Sequence, residues 1–284
     1  MATLDAFLAG ADVAAHRDRD PIAWPWKYPD PQDREVVALF AASLAYGRAD
    51  LIARALADAT ARMGPAPAAA AQADSLAAAR ARFDGFVYRL TRGDDLARLW
   101  LGIGHALRAH GTLGAAFLAG DPGGDDLRGA LINFRALLRA PTDGHLPERK
   151  AFRHLLPDPA GASACKRWHM FLRWMVRGPD AVDFGLWCAV GPHRLTMPLD
   201  THIHRIGRYL GLTQRPQADH RTAAEITAAL RRLDPADPLR YDFALAHLGI
   251  SGACPTRRVD TVCATCPIHT ICRLDANGRL RAPK

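Results

Sequence analysis

The sequence predicts an all-α protein, on three observations. Apolar residues make up 49% of the 284 residues and alanine is abundant, a combination that favours helix. Apolar positions recur at three- and four-residue spacing within segments bounded by Gly, Pro and Asp clusters. No stretch shows the sustained alternation of β-branched and aromatic residues that a half-buried sheet needs. The length suits one large domain or two moderate ones.

Taken in order, residues 1–32 are a helix-prone start followed by the crossing DPIAWPWKYPDPQD, whose prolines stop a helix. Asp33 is the expected cap of a helix over 33–63 with a break at Gly47. Its apolar stripe is Val36, Val37, Phe40, Leu44, then Leu51 and Ile52. GPAPAAAAQAD reads as a low-complexity turn, and helices follow at 74–83, 94–109, 125–139 and 148–155. Ser163 is the expected cap of the next helix, whose Trp168, Phe171, Leu172 and Met175 share one face. Gly178-Pro179 ends it and opens a short helix over DAVDFGLWCAV. THIHRIGRYLGL is a helix with Ile203, Ile206 and Leu210 inward and Gly211 as its stop. Two further helices cover 220–234 and 239–252, and a cysteine-rich segment follows.

No apolar run reaches eighteen residues, so no membrane span is expected. The first twenty residues lack a basic start and a long apolar stretch, so a secretory signal is not expected either. A cytoplasmic monomer is the expectation, and there clustered thiols are ligands more often than disulfides. The net charge of +8 suits a polyanion, nucleic acid first. The excess is local. Residues 163–215 hold eight Lys/Arg against three Asp, and 254–284 hold six against two.

Four of the six cysteines, Cys254, Cys263, Cys266 and Cys272, are spaced C-x8-C-x2-C-x5-C. A zinc ribbon uses two close pairs, and here there is one. One close pair with two outlying thiols suits a [4Fe–4S] cubane, which takes a thiolate at each iron, and zinc remains the alternative. Cys165 and Cys188 read as ordinary thiols in apolar surroundings. In PLDTHIHRIGRYLG, Asp200 stands where an N-cap belongs. His202 and His204 are two apart and would diverge on a helix.

The Pro–apolar–Asp-Thr-His helix start, followed about fifty residues on by the cysteine cluster, resembles the helix-hairpin-helix DNA glycosylases of the endonuclease III type. Their cysteine spacing is C-x6-C-x2-C-x5-C, so the first gap here is two residues longer. More narrowly, LAYGR (44–48), MFLRWMVR (170–177), VDFGLW (182–187), PLDTHIHRI (198–206) and YDFALAHLGI (241–250) resemble a bacterial family within that superfamily, the domain of unknown function 2400. The resemblance implies a two-lobed glycosylase-like fold with a C-terminal iron–sulfur loop. It implies a central helical domain over 33–192, holding a helix-hairpin-helix-like element near 163–190. A second domain would combine 1–32 with 193–284, and DNA would lie across the cleft.

The same resemblance makes Asp200 catalytic. Its carboxylate would oppose the oxocarbenium-like charge on the sugar as the base departs, as a carboxylate does in glycosidases. The chain departs from the family pattern at the lysine. Bifunctional members carry it in a glycine-rich hairpin eighteen residues before the aspartate, where this chain has Val182. Lys166, thirty-four residues before Asp200, is the one lysine between Lys150 and Lys284. It reads either as a relocated Schiff-base lysine or as a solvated or phosphate-holding side chain.

Backbone phosphate contacts are expected from Gly178, Arg177, Arg173 and Arg205, and from Arg257 and Arg258 in the enlarged first cysteine gap. Tyr46 and Arg48 are expected at the wall from which a base is extruded, with core packing the alternative for Tyr46. The expected function is base-excision DNA repair near the nucleoid. It consists of hydrolysis of the N-glycosidic bond of a damaged or modified base in duplex DNA, with AP-lyase activity if Lys166 is nucleophilic. The alternative is a non-catalytic iron–sulfur protein that binds DNA or senses lesions.

Overall fold

The computed structural model describes residues 2–142, 149–275 and 277–281. It is predominantly helical. Among the described residues the named strands are a two-residue antiparallel hairpin, Val87–Tyr88 with Thr91–Arg92. No described helix is long and apolar enough to cross a membrane.

The chain forms two compact units. The first contains Met1–His16, Ala162–Arg173 and Gly191–Lys284; the second contains Arg17–Gly161 and Trp174–Val190. Relative to the boundaries read from the sequence, residues 17–32 group with the central helices and 162–173 with the cysteine-bearing unit. The division falls inside the helix Lys166–Val176, after Arg173.

In the second unit, Gly93–His110 packs against Pro67–Ala73, Leu76–Arg82, Leu113–Ala119 and Arg128–Arg139. Close approach requires small residues on that helix. A Cβ on Gly102 or Gly104 would stand 1.9 Å from a carbonyl oxygen of Leu138 or Ala71. Phe40, Phe83 and Trp100 form an aromatic cluster with centroids 5.6–6.0 Å apart. Trp100 also donates its indole N–H to Asp74 at 2.9 Å, and Arg82 holds the same carboxylate at 2.7 Å.

Glu35 is this unit's buried polar anchor. Its carboxylate accepts the backbone N–H groups of Leu113 (2.9 Å) and Gly114 (3.0 Å), so it caps the helix Leu113–Ala119, and it takes the indole N–H of Trp187. Burial pushes the Glu35 carboxyl above the usual carboxylate range, and those three donors oppose the shift.

Several local expectations are corrected. Asp30, not Asp33, caps Pro31–Leu44, because Pro31 takes the first helical position that its fixed φ suits. Asp33 instead accepts the Ala68 N–H at 2.7 Å, at the start of the next helix but one. The alanine run is not a turn. It forms Pro67–Ala73, again with a proline at its start. The break expected at Gly47 is present, and it separates Pro31–Leu44 from Ala49–Met63. The helix expected at 148–155 is Lys150–Leu155, residue 148 lying outside the described residues.

The correction that matters most is at 180–190. No helix forms there; the segment folds back along the preceding helix. Phe184 and Trp187 donate their N–H groups to the Trp174 and Met175 carbonyls, which a helix end leaves unpaired. The second helix of the expected hairpin is therefore absent.

In the first unit, Thr201–Leu210, His220–Arg231 and Asp242–Ile250 enclose a core of Leu199, Ile203, Ile206, Ile226, Leu245 and Leu248. Each such side chain contributes about 1.5–3 kcal/mol on burial. Tyr241 ties the N-terminal helix to this core by donating to Asp5 at 2.6 Å, and burial helps push its phenol up to about 12.

Replacing Glu35 with alanine leaves two backbone N–H groups and one indole N–H buried without an acceptor. The expected loss is about 3 kcal/mol or more. Thermal unfolding followed by tryptophan fluorescence should show the midpoint falling by about 6–12 °C. An unchanged midpoint would mean that those donors find other partners.

Candidate functional site

The candidate site begins with the cap of Thr201–Leu210. Asp200 enters at φ −116°, ψ −172°, an extended geometry outside the helix. Asp200 Oδ1 accepts the N–H groups of His202 and Ile203, both at 2.9 Å. Two of the helix's orphan donors are thereby satisfied and the carboxylate is held in one orientation. Gly211 closes the helix in the left-handed conformation, φ +74°. One oxygen of Asp200 is thus committed to the cap.

The other oxygen, Oδ2, lies 3.5 Å from Lys166 Nζ. The lysine is the first residue of Lys166–Val176. The helix begins three residues after Ser163, whose hydroxyl accepts the Cys165 N–H instead of capping it. Its approach is set by an isolated bridge between Ser163 and Asp219 and by the His220 N–H on the Ala162 carbonyl. Asp219 caps the helix His220–Arg231, and the Thr222 N–H and the Arg215 guanidinium help bring its carboxyl down to about 2. Both side chains of the Lys166–Asp200 pair remain partly open, at 34% and 19% exposure.

A second pair lies on the same helix. Arg173, seven residues or about two turns past Lys166, is bound to Asp242 at 2.6 Å. It also stands over the Phe243 ring at 5.2 Å. Both charged groups are buried. Arg173 is therefore not the phosphate-contacting surface cation expected from the sequence. Burial pushes the Asp242 carboxyl up; Arg173 opposes this, while the Asp200 charge adds to it. The sequence signal for Asp242 was the Tyr-Asp-Phe at the head of its helix, which reads as a helix start.

The four cysteines of the C-terminal segment, all free thiols, line one cavity of about 30 Å³ together with Ile206, Tyr209, Arg258 and Ile268. Among the described residues no group of three or more His, Cys, Asp or Glu could hold a metal ion. A cubane makes a different demand, because each thiolate binds a different iron and the sulfurs stand farther apart. Here four thiols line one small and largely apolar space. Burial pushes the Cys254 and Cys266 thiols up.

The Asp200 helix is bonded to this segment. Arg205 donates to the Cys254 carbonyl at 2.6 Å and Tyr209 to the Thr256 carbonyl at 2.9 Å, while the Arg273 N–H returns to the Tyr209 carbonyl at 2.7 Å. Arg205, expected to hold phosphate, instead joins the helix to the cysteine segment. Arg258 lies beside the cavity and holds Asp260 at 2.6 Å, and Arg257 is exposed.

The remaining expected residues lie in the second unit. Arg177 is turned inward on Asp183 and also faces Asp180 at 3.4 Å. Gly178 has φ +93°, and a Cβ there would meet the Asp183 carbonyl oxygen at 2.6 Å, so only glycine fits this turn. The Val182 and Asp183 N–H groups are taken by the Asp180 carboxylate, both at 2.8 Å, so the turn does not offer them to phosphate.

Tyr46 is half-buried. Its hydroxyl bonds Thr91 Oγ1 at 2.8 Å and donates to the Tyr88 carbonyl, and its ring meets Tyr88 and His154. Arg48 is exposed and paired with Asp50 at 3.1 Å. Tyr46 thus braces the hairpin at 87–92, whose tip leaves Val87 and Leu90 more than half exposed next to Arg89 and Arg92. The sequence reading missed that tip, since a two-residue strand has too few positions to show alternation.

A family model described as "Protein of unknown function (DUF2400)" matches residues 20–251, so the chain belongs to that family. No curated protein and no solved structure matches.

The Arg205 guanidinium supplies a charged hydrogen bond of about 1.5–3 kcal/mol. Arg205→Met should therefore speed amide exchange over 254–258 by roughly 10- to 150-fold, with His220–Arg231 unaffected. Unchanged exchange would show that the thiol-bearing segment is held without the arginine.

Proposed function

We propose that this member of the family is a DNA N-glycosylase whose reacting pair is Asp200 and Lys166. One observation carries the reading: two residues thirty-four positions apart, both brought forward by the glycosylase resemblance, stand 3.5 Å from one another. Asp200 is held in its cap through Oδ1, and its side chain is partly open to solvent, a geometry that suits a carboxylate facing a developing cation.

In the proposed reaction the C1′–N bond breaks and the base leaves with the electron pair. Positive charge gathers on the sugar ring and is opposed by Asp200. A water molecule then bonds C1′ and gives up a proton to the carboxylate. Lys166 gives the site a second course. Its amine, once deprotonated, can attack C1′ in place of water and form a Schiff base that leads to strand cleavage.

The partner is DNA, in accord with the charge of +8. The exposed cations Arg257 and Arg48 are the phosphate contacts this reading retains. Cys254, Cys263, Cys266 and Cys272 would hold a [4Fe–4S] cluster, which would cross-link the C-terminal segment and take no part in the reaction. One observation favours a non-catalytic DNA-binding reading, namely the absence of the second hairpin helix.

Duplexes carrying single modified bases separate the two readings. The parent chain should release a base from at least one of them. Asp200→Asn should abolish release with DNA affinity retained, and Lys166→Ala should abolish borohydride trapping of a covalent adduct. Salt-sensitive binding without release from any duplex would establish the non-catalytic reading, and release by Asp200→Asn would remove that residue from the chemistry.

Anaerobically purified protein should be brown and carry about four irons and four acid-labile sulfides per chain. Serine at Cys263 or Cys266 should remove the colour. A colourless protein with one zinc would replace the cluster with the mononuclear alternative.

A further inference from the structure

We propose that the buried Arg173–Asp242 pair is a positioning device for Lys166 and Asp200. The inference rests on the reading of those two residues as the reacting pair. The four side chains form a ladder of alternating charge. Lys166 and Arg173 occupy one face of a single helix, two turns apart. The two carboxylates that meet them come from the starts of two other helices, Thr201–Leu210 and Asp242–Ile250, which pack against each other. Asp200 caps the first of these, and Asp242 is the first residue of the second. The positive end of each helix dipole therefore favours the charged carboxylate.

Stability alone is a poor explanation for the inner pair. Arg173 and Asp242 are 3% and 4% exposed and adjoin a core that is mostly Leu, Ile and Ala. A buried ion pair in such surroundings stabilises no better than apolar side chains of the same volume. It does supply directionality. The 2.6 Å bond fixes the Lys166 helix along its axis against the start of the Asp242 helix. Phe243, the next residue, backs the guanidinium and leaves Arg173 one orientation.

The Asp242 helix in turn seats the Asp200 helix. At Gly249 the helices approach so closely that a Cβ would stand 2.7 Å from the His202 side chain. Sliding the Lys166 helix by one ångström would change the distance from Nζ to Oδ2 while leaving the Asp200 cap intact. The outer pair sits where it does because the inner pair holds the helix that carries its lysine. The inner pair is also electrically in contact with the outer one, since the Asp200 and Lys166 charges both bear on Asp242.

The test replaces both buried charges at once, Arg173→Met with Asp242→Leu, so that neither is left unpaired and the fold survives. The thermal midpoint should be equal to the parent's or higher. Lys166 is the one lysine between Lys150 and Lys284, so acetic anhydride labelling of the native chain, read by peptide mass spectrometry, reports its surroundings directly. With Lys27 as the internal reference, the labelling rate of Lys166 should change about threefold or more, as expected when a charged neighbour is removed and the side chain freed. Base release in a single turnover should fall about 10- to 100-fold, the effect of an ångström-scale misplacement, with DNA affinity unchanged. The single variant Arg173→Lys should restore part of both readouts.

Labelling and turnover at parent levels in the double variant would overturn the proposal and leave the pair a purely structural feature. If the parent releases no base from any duplex, the glycosylase reading has failed, and the labelling rate still decides whether the inner pair positions Lys166.

Discussion

The constraint on which the first unit depends is the cap of a ten-residue helix. Asp200 closes the start of Thr201–Leu210 with two hydrogen bonds, and those bonds orient the one carboxylate oxygen left for Lys166. The same helix buries Ile203 and Ile206 in the core and sends Arg205 and Tyr209 out to the cysteine segment. One element therefore carries the candidate chemistry at its start, the core along one face, and the thiol-bearing segment along another. Any shift in its axis is felt at all three places, because a packed interior transmits displacement rather than absorbing it.

Arginine illustrates how that arrangement redirects charge. A basic excess around 163–215 suggested a surface for phosphate, yet much of it is consumed inside the fold. Arg173 neutralises Asp242, Arg177 faces Asp183, Arg215 holds Asp219, and Arg205 takes a backbone carbonyl. Net charge survives this pairing, since it counts whole residues, but the surface available to a polyanion is smaller than the sum implies. Arg48 and Arg257, outside that stretch, stay exposed.

The elements legible in the sequence were those with a complete local signal. Thr201–Leu210 has its cap, its apolar stripe and its Gly211 stop within twelve residues, and it forms as expected. Gly93–His110 and Arg128–Arg139 follow from periodicity in the same way. The failures share a cause. At 180–190 the apolar residues suggested helix, but Phe184 and Trp187 give their N–H groups to the end of the helix before them, a tertiary use that no local pattern encodes. The alanine run at 67–73 lacks a stripe because alanine is too small to make one, so its strong helix propensity went unread. At the candidate site, Asp200 and Lys166 were legible as individual residues. Their meeting was not, nor was the role of Asp242, because each depends on how separate helices pack.

The missing hairpin helix bears on how this chain would hold DNA. A hairpin presents its turn N–H groups to phosphate only if nothing nearer takes them. Here Asp180 takes two, and Asp183 turns Arg177 inward. A phosphate would have to displace a carboxylate already held in place, which costs free energy without adding a contact. The turn at Gly178 is thus closed chemically as well as geometrically, and affinity must come from elsewhere. The hairpin at 87–92 leaves Arg89 and Arg92 exposed, and the loop between Cys254 and Cys263 leaves Arg257 exposed. The first exposes Val87 and Leu90 beside its arginines, and the second exposes Val259. On the proposed reading, phosphate contacts fall to exposed basic side chains, and the 178–190 turn keeps to its internal bonding.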